Sequence, residues 1–430
     1  MEAIVSGVDA ADIAAPAEQH VATGSEETAF VEGPLSGIRV LDLTRMVMGP
    51  YATQILADQG ADVVLIEAAG GDTNRVIGPG PHPEFSGPAF NLMRNKRSVQ
   101  LDLKTSDAKE KVTTLLRWAD VVVTTMRPQA LERLGLDYAS VQKIVPEIVY
   151  CQAQGWPLDS DRANDPAYDD IIQAASGVAD AVERASGSPA LLPTILADKM
   201  CGLVMAQAIA AALVSRDRTG MGQHVEVPMI QAMRSFMLLE HGSGAISDPP
   251  LHAPGLPPAG YPRVLSSERR PYRTKDGQVY IFPYLPHHWS QLFEAAGLPG
   301  AADDPRYADR RSANRNADSL YRDIRTIATQ RTTEEWMAFC RSAGIPATRV
   351  ASLQDMVDEL PLVEHPVAGR YRVIPQIANF KSTPGGLRRH APLIGEQTDE
   401  VLAALESGGF PPRSLGGSTG TNVGQVAANE

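Results

Sequence analysis

Between Gly37 and Gln152 short apolar runs alternate with stretches of helical length. The runs are Gly37–Thr44, Ala61–Glu67, Lys96–Leu103, Ala119–Thr124 and Glu147–Gln152. Tyr51–Gln59, Thr105–Trp118 and Leu131–Ile144 lie between them and read as helices, with Gly60 ending the first. Strands joined through helices run parallel, and their crossovers are right-handed. The pattern therefore predicts an α/β domain around a largely parallel, Rossmann-like sheet. The turn after the first strand reads Met48-Gly49-Pro50 and has no G-x-G-x-x-G, so a nicotinamide or flavin dinucleotide is not supported. A P-loop pattern is also absent.

Further along, Gly222 and its neighbours turn the chain into Val225–Pro228, and Ile230–His241 reads as a helix. Residues 246–270 are rich in Pro and Gly and read as a linker. A hairpin over Tyr272–Phe282 opens a smaller α+β domain, 271–365, with helices at His288–Ala296, Ala317–Thr329 and Thr333–Ala343. Residues 366–410 are expected to return to the large domain of residues 35–245, ending in a helix over Glu396–Leu405.

Composition narrows the function classes. The chain carries a net charge of −12, which argues against general nucleic-acid binding. More than half of that charge sits in residues 1–34, with seven acids and no Lys or Arg. This segment lacks the basic start of a signal peptide and reads as a disordered acidic tail. Residues 411–430, rich in Gly, Ser and Asn, read as a second tail. No uninterrupted apolar run reaches the ~20 residues of a membrane span. Cys151, Cys201 and Cys340 have no metal-ligand or disulfide spacing, and the nine histidines show no H-E-x-x-H. A cytoplasmic protein that holds no metal is expected.

The chemistry points to one acid. Asp198 precedes Leu203–Val214, a run in which only Gln207 is polar, so the helix is expected to be buried on nearly all faces. At the helix start Asp198 would face unpaired N–H groups and the positive end of the helix dipole. The plain reading is an N-cap. The sharper one is a carboxylate nucleophile activated by a dry pocket, with the same N–H groups holding the oxyanion it forms. Cys201 reads as packing.

Several segments in order carry a resemblance: Gly37–Thr44 with Gly49-Pro50, Asn95–Ser98 with Leu101–Leu103, Arg127-Pro128 with Ala130–Gly135, Tyr168-Asp169 with Gln173 and Ser176-Gly177, Ala197-Asp198, Thr219–Gln223, and Ala391–Asp399. Together they resemble the class III CoA-transferases of the formyl-CoA transferase and carnitine CoA-transferase type, over Leu35 to about Leu405. The resemblance implies a Rossmann-like large domain, a smaller domain and an interlocked homodimer. It implies a coenzyme A thioester as substrate, a carboxylic acid as acceptor and no permanently bound cofactor. It places the catalytic Asp on Asp198 and a pocket around Tyr168, Val47 and Met48. Arg133 is the first choice for the CoA phosphates, with Arg45, Met46, Lys96, Arg97 and Thr125 as further CoA-binding positions.

Departures refine the picture. The formyl-CoA branch has Gln at the position of Val47, Asn at Thr125 and Arg at Ala68, and Gly242 and Gly244 only faintly echo its glycine loop. An acyl group larger or less polar than oxalate or formate is expected. The α-methylacyl-CoA racemases of the family use a His about thirty residues before the Asp, where this chain has Tyr168. A phenol, ordinarily ionising near pH ~10, is a poor proton shuttle at neutral pH. Asp169 and Asp170 read as helix-start caps. A loop over Gly78–Pro81 reads as a lid or a plain excursion. Two alternatives stay open: a racemase-type isomerase, and a non-catalytic acyl-CoA-binding protein.

Overall fold

The computed structural model describes residues 33–251, 257–298 and 300–407. Nearly all of the expected tail 1–34, the tail 411–430 and linker residues 252–256 lie outside the described residues.

The large layer is built from β1 (Arg39–Leu43), α1 (Met48–Asp58), β2 (Asp62–Glu67), α2 (Gly87–Leu92), β3 (Lys96–Gln100), α3 (Ser106–Trp118), β4 (Val121–Thr124), α4 (Pro128–Leu134), α5 (Tyr138–Ile144) and β5 (Val149–Gln154). It continues through α6 (Asp169–Ala175), α7 (Val178–Ser186), α8 (Leu196–Thr219), β6 (Gln223–Pro228) and α9 (Met229–His241). The six strands lie in the order β3-β2-β1-β4-β5-β6, every pair parallel. Burial on both faces explains why β1, β2, β4 and β5 are apolar runs rather than alternating ones. On one face α1, α6, α8 and α9 pack around Ile55, Ile172, Met205 and Met233. On the other, α3 and α5 enclose Leu115, Val141 and Tyr150. The order reverses direction between β1 and β4, and in such sheets ligands bind outside the carboxyl ends at that point.

The single helix expected over Leu131–Ile144 is two. Gly135 adopts φ 66°, ending α4, and Asp137 starts α5 by accepting from Ser140 N. The smaller sheet joins β7 (Tyr272–Arg273), β8 (Gln278–Ile281) and β9 (Ala347–Arg349) antiparallel. Around it lie α10 (Pro286–Ala295), α11 (Arg310–Arg315), α12 (Ala317–Ala328) and α13 (Thr333–Ala343), with Trp336 and Tyr272 fully buried. After α14 (Leu353–Asp358) comes a hairpin of β10 (Leu362–His365) and β11 (Gly369–Arg372). The expected division at 365/366 cuts this hairpin, whose Val363 and Tyr371 pack with Leu65, Phe85 and Phe90 of the large layer. Helix α15 (Thr398–Glu406) buries Val401 against the α3 side.

The Ala391–Asp399 motif has a structural task. Gln397 N donates to Ser98 O at 3.0 Å, Ser98 N to Gln397 Oε1 at 2.9 Å and Gln100 N to Thr398 Oγ1 at 2.9 Å. These bonds cover the free edge of β3, which would otherwise present unpaired backbone.

Lys96 and Arg97, expected to bind CoA, are buried and paired with carboxylates of the sheet. Lys96 is buried under the sheet, its ammonium 3.0 Å from Asp42 Oδ2, 3.0 Å from Pro50 O and 2.7 Å from Thr53 Oγ1. Arg97 is buried and pairs with Asp62 at 2.6 Å. A cation needed to neutralise an internal carboxylate is not available to an external phosphate. We therefore predict that Lys96→Ala costs about 3–5 kcal/mol, because it strands a buried Asp42 charge. Arg133→Ala, on an exposed helix end, should stay within about 0.5 kcal/mol. Urea unfolding measures both, and a Lys96→Ala loss below about 1 kcal/mol would contradict the buried pair.

Candidate active site

Three loops converge at the carboxyl ends of β2, β1 and β4. After β1, Asp42 Oδ1 accepts from Thr44 N at 2.9 Å and Thr44 Oγ1 at 2.5 Å, turning the chain sharply. Arg45 N then donates to Thr125 Oγ1 at 3.3 Å, closing the crevice between β1 and β4. Met46 follows at φ 67°, a left-handed conformation unusual for a side chain of its size. The loop after β2 holds it there. Asp72 Oδ2 accepts from Met46 N at 3.2 Å, and Asn74 Nδ2 donates to Met46 O. Burial raises the Asp72 carboxyl above the usual carboxylate range, opposed by the amide donors and Arg45. Asp72 N in turn donates to Glu67, whose buried pair with Arg75 spans 2.5 Å.

Helix α8 meets this turn directly. A Cβ at Gly202 would lie 2.8 Å from Met48 O and 3.0 Å from the Tyr51 ring, so only glycine lets α1 and α8 approach this closely. Asp198 lies one turn before Gly202 on the same helix face. Through that contact the first turns of α8 lie against the start of α1. Asp198 is half-buried, and its carboxyl is pushed up to about 6, first by burial and then by the neighbouring Asp169 charge. Such a group is mostly ionised at neutral pH but poorly hydrated, the condition under which a carboxylate attacks a carbonyl. Burial pushes the Cys201 thiol up to about 12, leaving it inert and consistent with packing.

The capping expectation is corrected. Helix α8 begins at Leu196, its N-cap position is Ile195 without a side-chain cap, and Asp198 sits inside the first turn. The cap comes from α6: Asp169 Oδ1 accepts from Ala197 N at 2.6 Å and Asp198 N at 3.2 Å. Those amides are occupied, so they do not form the oxyanion site expected of them. Nor do Asp169 and Asp170 cap α6, whose first turn they occupy behind Tyr168.

The remaining positions divide. Arg45, Met46, Val47, Met48 and Thr125 gather at the crevice. Tyr168 is 62% exposed at the start of α6, immediately before Asp169. Arg133 is exposed in the last turn of α4, the helix that follows the carboxyl end of β4. The loop over residues 75–85 encloses a 370 Å³ depression lined by Val76, Gly78, Pro81, His82 and Phe85. The sequence reading missed Asp72 and Asn74 as supports of Met46, and Gln173 as Asp169's partner. The Gln173 position stood within the Tyr168–Gly177 segments; Asp72 and Asn74 carried no signal. Among the described residues no group of acids, His and Cys has the arrangement of a metal site.

The comparisons with known proteins agree over most of the chain. The sequence model of CoA-transferase family III matches residues 35–398. A probable fatty acyl-CoA transferase of Mycobacterium tuberculosis is 32% identical over 386 residues, covering 86% of this chain and 98% of its own. The succinate–glutarate CoA-transferase of Agrobacterium fabrum is 30% identical over 395 residues, covering 87% and 96%. The orthorhombic crystal structure of the M. tuberculosis protein superposes with a TM-score of 0.72 at 28% identity, covering 86% of this chain and 99% of its own. A CAIB/BAIF family protein of Brucella suis does so with a TM-score of 0.72 at 26% identity, covering 87% and 100%.

The Asp198 environment has a stability consequence. Its folded-state affinity for a proton exceeds that of an unfolded carboxylate, so the stability it confers is complete below about pH 4. That stability is lost as pH rises through about 6. Asp198→Asn should therefore match the parent in acid and exceed it by about 1–3 kcal/mol at pH 8. Denaturant unfolding at the two pH values tests this, and an equal or destabilised Asn variant at pH 8 would contradict it.

Proposed function

The chain belongs to CoA-transferase family III and is a CoA-transferase, and we propose that it works through covalent catalysis by Asp198. The observation that carries this reading is a half-buried carboxylate, displaced toward about 6, on the helix packed against the turn at the sheet's switch point. An Asp198 carboxylate oxygen attacks the thioester carbonyl carbon of a donor acyl-CoA. The C–S bond breaks, giving a mixed anhydride and CoA thiolate. The thiolate attacks the aspartyl carbonyl, the anhydride C–O bond breaks, and the donor acid leaves as its carboxylate. An acceptor carboxylate then attacks the enzyme thioester, expelling CoA thiolate, which takes the acyl group from the second anhydride and restores Asp198. Both anhydrides need shelter from water.

Arg45, Met46 and Thr125 at the crevice, with Arg133 on α4, are assigned to the CoA moiety, the arginines to its phosphates. Val47, Met48 and Tyr168 are assigned to the acyl pocket. Exposed Val76 and Ile77 on the loop after β2 add apolar surface nearby. That surface supports an acyl group with hydrocarbon character, in keeping with the relative named for fatty acyl-CoA.

A homodimer belongs to the same reading. Leu203, Gln207, Ala211 and Val214 form an exposed stripe along α8, opposite the buried Cys201, Met205 and Ile209. The expectation of a helix buried all round is not met within one chain, and a second copy would cover the stripe. Helix α8 is long and apolar enough by composition to cross a membrane. Its buried face nevertheless belongs to the core of the large layer. Cytoplasmic chemistry fits three buried, unpaired cysteines.

Asp198→Ala should abolish CoA exchange between pairs of mono- and dicarboxylic acids while leaving the circular dichroism spectrum and melting profile folded. Near-parental exchange would end the mechanism. Arg133→Ala should raise KM for acyl-CoA more than it lowers kcat, and a change in kcat alone would remove Arg133 from the CoA contacts. In deuterium oxide the parent should exchange CoA without deuterium entering the α-carbon; deuterium incorporation would favour the racemase reading.

A further inference from the structure

A helix that needs only an N-cap takes it most cheaply from Ser, Thr, Asn or Asp at its own N-cap position. Helix α8 has Ile195 there, and no side-chain cap from it. The cap is delivered instead by a carboxylate from another helix, 28 residues earlier in sequence. Asp169 is only 7% exposed. Its Oδ1 takes the amides of Ala197 and Asp198, and its Oδ2 accepts from Gln173 Nε2 at 2.6 Å. Gln173 is fully buried; its Nε2 also donates to Thr194 O at 3.0 Å and its Oε1 accepts from Leu192 N at 3.0 Å. One carboxylate and one amide thus fix both the segment leading into α8 and the backbone of Asp198.

As structure alone the choice of a charge is unfavourable. A neutral Ser or Asn satisfies the same amides without setting a second buried negative charge beside Asp198. The Asp169 charge also offsets the positive end of the α8 dipole, which would otherwise stabilise the Asp198 carboxylate and blunt it. Among the described residues, Asp169 is the neighbouring charge that bears on the Asp198 carboxyl. Lys199, next on the helix, is exposed and donates to Thr194 Oγ1 at 2.5 Å. Cys201 on α8 is buried in the core, and Tyr51 on α1 packs against Gly202.

We propose that Asp169 is a positioning residue for Asp198: it aims the nucleophile through the first amides of α8 and, as a second negative charge beside it, keeps the carboxylate reactive. This rests on Asp198 being the nucleophile, and it adds to that reading a residue that never touches substrate.

The test compares Asp169→Asn and Asp169→Ser with the parent. Both keep an oxygen that can accept the α8 amides, and Ser serves if the Asn amide conflicts with Gln173. Carbodiimide-driven coupling of an amine to Asp198, followed by peptide mass spectrometry across pH, reads the protonation of that carboxyl without requiring turnover. Its midpoint should fall by about one pH unit in either variant. The acid limb of kcat/KM for CoA exchange should move down with it. The kcat should drop about ten-fold or more, with KM for acyl-CoA little changed. A labelling midpoint that coincides with the parent's in a folded variant would overturn the proposal. Failure of the underlying reaction reads differently: the parent itself would show no exchange, while the labelling midpoints would still report on the Asp169 charge.

Discussion

The structure depends on a carboxylate kept from water beside another carboxylate. Asp198 has lost part of its hydration, and Asp169 denies it the helix amides that would compensate. In a purely structural setting either feature would be removed by selection for stability. Here they leave an acid whose charge is poorly satisfied by its surroundings, the property on which the proposed attack on a thioester rests.

Beneath the site lies a buried polar network. Asp42–Lys96, Glu67–Arg75 and Asp58–Arg94 are paired at 3.0, 2.5 and 2.6 Å with their side chains almost fully enclosed. Two of them lie at the foot of the site: Asp42 shapes the turn after β1, and Glu67 anchors the loop after β2 through Asp72. They hold Met46 in its left-handed conformation, and Met48 then meets Gly202 on α8. The sheet order sets the location, the ion pairs set the loops, and the glycine contact sets how near α8 comes to α1.

The parallel sheet was legible because each strand is an apolar run buried on both faces, a signal carried within a few residues. Asp198 stands out in the sequence as an acid leading into an apolar helix, and its catalytic role is part of the proposal. What was not legible depended on distant partners. Lys96 and Arg97 look like surface cations until Asp42 and Asp62, more than thirty residues earlier, are found against them. Asp169 reads as a local cap because its amides belong to a helix not yet in view. The split at Gly135 turns on one left-handed glycine inside a pattern that otherwise reads as continuous helix. The exposed stripe on α8 has no sequence signature, since its residues are as apolar as those facing the core.

In the proposed reaction Asp198 carries the CoA-transfer chemistry through a covalent bond. The most direct measurement is the mass of the peptide holding Asp198 after the enzyme is mixed with an acyl-CoA and quenched with borohydride. Covalent catalysis by Asp198 requires reduction of that aspartyl thioester to the alcohol, a change confined to Asp198 and absent without acyl-CoA. An unmodified Asp198 peptide in enzyme that is actively exchanging CoA would contradict it.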